Sequence, residues 1–287
     1  MAALPRYSTL LLRWRGDGIL ELALNRPGSL NAVNATMWQE LRECLGALNN
    51  LDGLRLVLLT GGSCKHFCAG IDLKDATEHT PGVGVGRRDG SHSDDVARTT
   101  LRLRTRVKQI QATFDGFEAL AVPVIACVHG ACYGAGVDMI GACDVRWASE
   151  DAAFCIKEVD IGISADVGTL ARLPKAGISA SLLSELALSA RRMGAHEALR
   201  CGLLSRLTSS REELMTQAGA LAHTIASKSP LAIVGTKHHL LYARDHSVAQ
   251  ALDYHALWNA ALMQTDDVPQ AMAQARKPRP GAVFAKL

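Results

Sequence analysis

Asp138, Glu158 and Asp166 fall close together in the chain, and Asp138 lies in an otherwise apolar run where a solvated acid is not expected. Asp138 interrupts the apolar run YGAGVDMIGACD just after a Gly-Ala-Gly turn, Glu158 stands in IKEVDIG, and Asp166 stands in SADVGTLARL. Carboxyl groups kept partly from water can take a proton from one atom and return one to another, provided their environments push their pKa values apart. Each acid also has a simpler reading. Asp138 could complement a helix dipole, an effect of roughly 0.3 to 1 kcal/mol. Glu158 could be a strand-end acid or a partner of Lys157, and Asp166 could cap the helix that follows it.

Two turns share one design. HFCAGIDLKD follows the strand-like LRLVLLTGG, and GACYGAGVDMIG follows PVIACVHG. Small residues sit where the backbone must turn, and a helix begins directly after, so N–H groups are left without partners at the positive end of a helix dipole. If the N–H groups of Ile71 and Ala135 converge, they form a two-donor hole for an oxyanion. The alternative is two ordinary strand-to-helix turns in which glycine only supplies positive φ. Neither turn contains G-x-G-x-x-G, so a dinucleotide cradle is not expected.

Composition narrows the classes. The 287 residues allow one large domain or a domain with an appendage, and 48% hydrophobic with 21% charged is an ordinary globular balance. A net charge of +3 and 5% aromatic residues imply neither a polyanion-binding field nor a base-stacking platform. No apolar stretch approaches the roughly 18 residues of a spanning helix. Eight cysteines (Cys44, Cys64, Cys68, Cys127, Cys132, Cys143, Cys155 and Cys201) lie mostly in apolar surroundings and are expected to be reduced core thiols. Cys64, His66 and Cys68 do not have the usual zinc spacing and lack a second ligand pair, so no metal is expected.

The elements that must position the acids are legible in outline. STLLLRW and GILELALN around Gly-Asp-Gly read as a hairpin rather than a presequence. NATMWQELRECLGALNNL has helical spacing with Met37, Leu41, Leu45 and Leu48 on one stripe. LRLVLLTGG and PVIACVHGACYGAG each read as one buried strand, and DVRWASEDAAFCIKEVDIG as two short ones. Strand, turn and helix alternate through the first two-thirds, which predicts an α/β architecture. Beyond about residue 176 the pattern turns helical, an extension packed on the core and suited to a subunit interface. Residues 79–96 are Gly-rich and polar and read as a mobile surface loop beside the site.

LNRPGSLNAV, HFCAGIDL, HGACYGAGVDMIGACDVRWAS and KEVDIGISADVGTLARLPK, in this order, resemble the enoyl-CoA hydratase/isomerase (crotonase) superfamily. The likeness covers most of the chain. It implies a spiral of ββα units over 1–210 holding an acyl-CoA site, and a helical oligomerisation region over 211–287. It places a thioester carbonyl between the N–H groups of Ile71 and Ala135. Many relatives carry glycine where this chain has Ala135; alanine keeps the N–H, so the hole survives if positive φ is not needed there.

The acids of the last two blocks resemble those of the members that convert 3,5-dienoyl-CoA to 2,4-dienoyl-CoA in fatty-acid β-oxidation. Such a reaction removes a proton at C2 and adds one at C6, with Glu158 expected at C2, Asp166 at C6, and Asp138 biasing which of them holds the proton. The resemblance further implies pantetheine along Ala69, Gly70, Ile71, Asp72 and Leu73, with Arg26 a candidate for the CoA phosphates. It implies a homotrimer or homohexamer and no cofactor beyond the CoA of the substrate. The alternatives are a 2-enoyl-CoA hydratase, which would have no necessary use for Asp166, and a non-catalytic acyl-CoA- or RNA-binding relative. The ending Ala-Lys-Leu resembles a peroxisomal address read by an import receptor, with mitochondria as the alternative.

Overall fold

The computed structural model describes residues 3–76, 96–276 and 284–285. The expected 79–96 loop therefore lies outside the described residues, apart from Val96, and so do Lys286 and Leu287 of the Ala-Lys-Leu ending.

Strands β1 (Leu10–Trp14) and β2 (Ile19–Leu24) form the expected antiparallel hairpin, with Leu12 opposite Leu22. Gly16, Asp17 and Gly18 all have positive φ in its turn, which is why that tripeptide closes it. Helix α1 (Ala35–Leu48) is capped by the Asn34 side chain, which accepts from Met37 N–H at 3.0 Å, and it buries the predicted stripe. After β3 (Leu56–Thr60) come the short α2 (Leu73–Ala76) and the long α3 (Val96–Ala119). The sequence reading did not single out α3. Its first half is polar and exposed, and among the described residues only Thr113, Phe114 and Phe117 of it are buried.

PVIACVHGACYGAG is two strands rather than one: β4 (Val124–Val128) and β5 (Ala131–Tyr133), which join different sheets. The break falls at Gly130, where φ is +56° and a Cβ would meet His66 Nδ1 and the Lys65 carbonyl at 2.6 Å. Next come α4 (Ala135–Gly141), β6 (Val145–Ser149) and β7 (Ala153–Cys155), followed by the four-residue α5 (Thr169–Arg172). The segment read as wholly helical beyond residue 176 holds α6 (Ala180–Ser189), a two-residue β8 (Met193–Gly194), α7 (Ala195–Arg200) and β9 (Arg206–Thr208). Both strands are too short to show a two-residue period, and their sheet partners lie far away in sequence. The end is helical as expected: α8 (Arg211–Ala226), α9 (Pro230–Ala243), α10 (Val248–Leu262) and α11 (Asp267–Arg276).

The larger sheet runs β1-β2-β3-β4-β6-β9, parallel from β2 onward, and the smaller runs β5-β7-β8. From β4 the chain lays one strand in the large sheet and the next in the small one, then a helix. It repeats this with β6 and β7, which is the expected spiral of ββα units. The main core fills the space between the sheets and α1, α4 and α6. The other face of the large sheet is covered by α8, whose Leu214, Ala218, Ala222 and Ala226 pack on Ile19, Leu58, Ile125 and Trp147. Helix α9 is tied down by buried Lys237, which donates to the carbonyls of Phe117 and Val122 and pairs with Asp144, each at 3.0 Å.

Candidate active site

The two Gly-rich turns are held edge to edge by backbone hydrogen bonds. Phe67 N–H donates to the His129 carbonyl, Cys68 N–H to that of Ala131, and Tyr133 N–H to that of Cys68, at 2.9, 3.0 and 2.9 Å. His66 Nδ1 accepts the Ala131 N–H at 3.1 Å, so this histidine helps join the turns. On the far side Val33 N–H donates to the Gly70 carbonyl and Asp72 N–H to that of Val33. These bonds consume the groups flanking Ile71. Among the described residues no acceptor engages the N–H of Ile71 or of Ala135, and both residues line one cavity of about 280 Å³.

Glycine is required at two places here. Gly70 has φ of +102°, and a Cβ on it would come within 3.3 Å of the Tyr133 carbonyl. Gly134 has φ of +47° and ψ of −118°, and a Cβ on it would lie 3.1 Å from Glu158 Oε1. Ala135 is outside the positive-φ set, so alanine at that position meets no backbone strain.

All three acids reach the same cavity, whose remaining wall is largely apolar: Trp38, Val107, Ile110, Ile161, Ile163 and Val167. Asp138 is 1% exposed, and its Oδ1 accepts both the N–H and the hydroxyl of Thr169, at 2.6 and 2.7 Å. Burial pushes its carboxyl up to about 6 against the pull of those two bonds. Glu158 opens a single 3-10 turn, Glu158–Ile161. Its Oε2 is buried without a hydrogen-bond partner among the described residues. Burial first, and then the neighbouring Asp138 charge, raises it to about 7. Asp166 stands at the rim, its carboxyl raised by partial loss of water and held down by its own backbone N–H.

Two of the simpler readings are corrected, while Asp138 does stand in the first turn of α4. Asp166 does not cap α5; the cap position is Gly168, and Asp138 reaches across from α4 to satisfy the Thr169 N–H. Lys157 pairs with Asp160 and not with Glu158. Ala69, Gly70, Ile71 and Leu73 line the cavity, whereas Asp72 and Arg26 are outside its lining and pair with each other at 2.9 Å. Arg26 also donates to the Ala32 carbonyl, so its guanidinium braces the turn.

Sequence reasoning missed Thr169, and it missed the hold on the Asp166 loop. There Gln111 Nε2 donates to the Asp166 carbonyl at 2.7 Å and Arg172 Nη1 to that of Val167 at 3.3 Å. Nothing local marks these contacts. The wall residues Val107 and Ile110 carried a signal, apolar three apart within VKQIQATF.

Residues 15–279 match the enoyl-CoA hydratase/isomerase family. The chain is 43% identical over 286 residues to the mitochondrial Delta(3,5)-Delta(2,4)-dienoyl-CoA isomerase of Rattus norvegicus, covering 98% of this chain and 84% of that one. It is 42% identical to the peroxisomal Delta(3,5)-Delta(2,4)-dienoyl-CoA isomerase of Arabidopsis thaliana, covering 98% of each. Among solved structures, enoyl-CoA hydratase from Bacillus anthracis superposes with a TM-score of 0.83 at 25% identity, covering 96% of this chain and 98% of that one.

Proposed function

The chain belongs to the enoyl-CoA hydratase/isomerase family, and from that premise we propose that it converts 3,5-dienoyl-CoA to 2,4-dienoyl-CoA. The observation that carries the reading is Glu158 and Asp166 on one largely apolar cavity, beside two N–H groups that have no acceptor among the described residues.

In this reading the thioester oxygen sits between the N–H groups of Ile71 and Ala135, which stabilise the enolate formed when C2 loses its proton. Glu158, raised to about 7, is the base at C2, because near neutral pH a useful fraction is ionised and its affinity for a proton is high. The released electron pair forms C2=C3, the C3=C4 pair moves to C4–C5, and the C5=C6 pair takes a proton at C6 from Asp166. Two acids suit this step because C2 and C6 are too far apart for one pivoting carboxylate. Asp138 lies behind them, and its charge is one reason Glu158 binds protons tightly.

Hydration would need Asp138 to place a water at C3. Its Oδ1 is already engaged twice by Thr169, which disfavours that role. The isomerisation itself calls for no group beyond the CoA of the substrate. The exposed Leu240, Leu252, Leu257, Met263 and Met272 on α9–α11 are the surface through which we expect subunits to assemble, as trimer or hexamer.

The test is direct. Purified protein given 3,5-octadienoyl-CoA should develop the ultraviolet band of a conjugated 2,4-dienoyl thioester, and should hydrate 2-octenoyl-CoA far more slowly. Rapid hydration with no conjugated band would make it a hydratase.

A further inference from the structure

Asp166 and Glu158 differ in what lies behind them. Glu158 lines the apolar cavity, whereas Asp166 is also on the wall of a second cleft of about 470 Å³. That cleft lies between α3, α5 and the end of α9, and its lining includes Lys108, Gln111, Asp115, Glu118, Arg172 and Arg244. Most of its charges are paired: Arg172 with Asp115 and Glu118, Arg244 with Glu118 at 2.7 Å, and Lys175 with Asp245 at 3.3 Å, while Lys108 donates to Gln111 Oε1 at 3.0 Å. A roomy cleft with polar walls holds water, unlike an apolar one. The main chain around Asp166 is pinned from the cleft side by Gln111 and Arg172, which keeps this residue on the wall that the two spaces share.

We propose that this cleft is a proton route, through which Asp166 exchanges with solvent while substrate still fills the acyl cavity. The inference rests on the isomerase reading given above. In one turnover the C2–H bond breaks and its proton goes to Glu158, while Asp166 gives its own proton to C6 and becomes a carboxylate. A hydronium ion or buffer acid in bulk solvent then supplies a proton that passes through the cleft water to Asp166, leaving water or the conjugate base behind. Glu158 passes its proton to water through the acyl cavity. The two protons therefore never meet, and hydrogen lost at C2 does not reappear at C6.

The experiment follows deuterium. 3,5-Octadienoyl-CoA carrying two deuteriums at C2 is turned over in light water by the full-length protein, and the product is read by NMR at C2 and C6. One deuterium should remain at C2, the other should be lost to solvent, and C6 should gain only light hydrogen. Product carrying the C2 label at C6 would overturn the route while leaving the isomerase reading intact. Absence of any 2,4-dienoyl product would overturn both.

Ala171, exposed on α5 and part of the cleft wall, provides the second arm. Ala171→Trp fills the cleft while leaving both acids in the sequence. It should slow turnover and make C2 label appear at C6. An unchanged label pattern and rate in a variant that unfolds at the wild-type temperature would contradict the route.

Discussion

Asp138 Oδ1 holds Thr169 by two hydrogen bonds, 2.6 Å from its backbone N–H and 2.7 Å from its hydroxyl. One carboxylate thus caps α5, which follows the Asp166 loop, and also lends its charge to Glu158. Thr169→Val keeps the shape and removes the hydroxyl bond, a loss of about 1.5 to 3 kcal/mol for a bond to a charged group. The variant should lose turnover several-fold with little change in KM. An equal loss in Thr169→Ser, which retains a hydroxyl, would argue that packing and not the hydrogen bond matters.

Asp138→Asn removes the charge that raises Glu158 and leaves an amide oxygen to accept from Thr169. Glu158 should then bind its proton less tightly, so the acidic limb of the kcat/KM profile should move to lower pH. If rate and limb are both unchanged, Asp138 is a helix-end acid and nothing more.

Glu158 costs stability. Its folded-state pKa is raised from 4.5 to about 7, so the folded protein binds more protons than the unfolded chain across that window, and stability falls as pH rises through it. Glu158→Gln removes this dependence. At pH 8 it should be more stable than wild type by on the order of 1 to 3 kcal/mol, with the gap closing toward pH 5. Thermal unfolding at the two pH values measures it, and a pH-independent difference would contradict the assignment.

The oxyanion hole can be tested without touching an acid. Ala135 is the first residue of α4, a position where proline is tolerated because its N–H has no helical partner. Ala135→Pro deletes that one donor and should lower kcat by about 100- to 1000-fold. Unaltered turnover would mean the thioester oxygen lies elsewhere.

Lys237 joins α9 to the core, so Lys237→Met should cost roughly 3 kcal/mol by leaving Asp144 and two carbonyls without their partner. Denaturant titration reads this loss. A neutral substitution would mean that α9 contributes little to the core fold.

What was legible in the sequence is what depends on neighbours along the chain. The hairpin is set by Gly16, Asp17 and Gly18, and α1 by its Asn34 cap and apolar stripe, all local. The two turns were legible because Gly70 and Gly134 occupy backbone conformations that other residues avoid. The break between β4 and β5 was hidden within one apolar run, because His66 and Lys65, on another strand connection, decide it. The Asp138–Thr169 and Gln111–Asp166 bonds span 31 and 55 residues, so no local pattern announces them. The Arg26–Asp72 pair was hidden for the same reason, since its partners lie 46 residues apart.

The division of labour between Glu158 and Asp166 is the centre of this account, and one measurement reaches it. Wild type, Glu158→Gln and Asp166→Asn are each given 3,5-octadienoyl-CoA in heavy water, following deuterium at C2 by NMR and the conjugated product by absorbance. Asp166→Asn should still exchange hydrogen at C2 yet form almost no conjugated product, whereas Glu158→Gln should do neither. Conjugated product at the wild-type rate from Asp166→Asn, or C2 exchange surviving in Glu158→Gln but lost in Asp166→Asn, would contradict it.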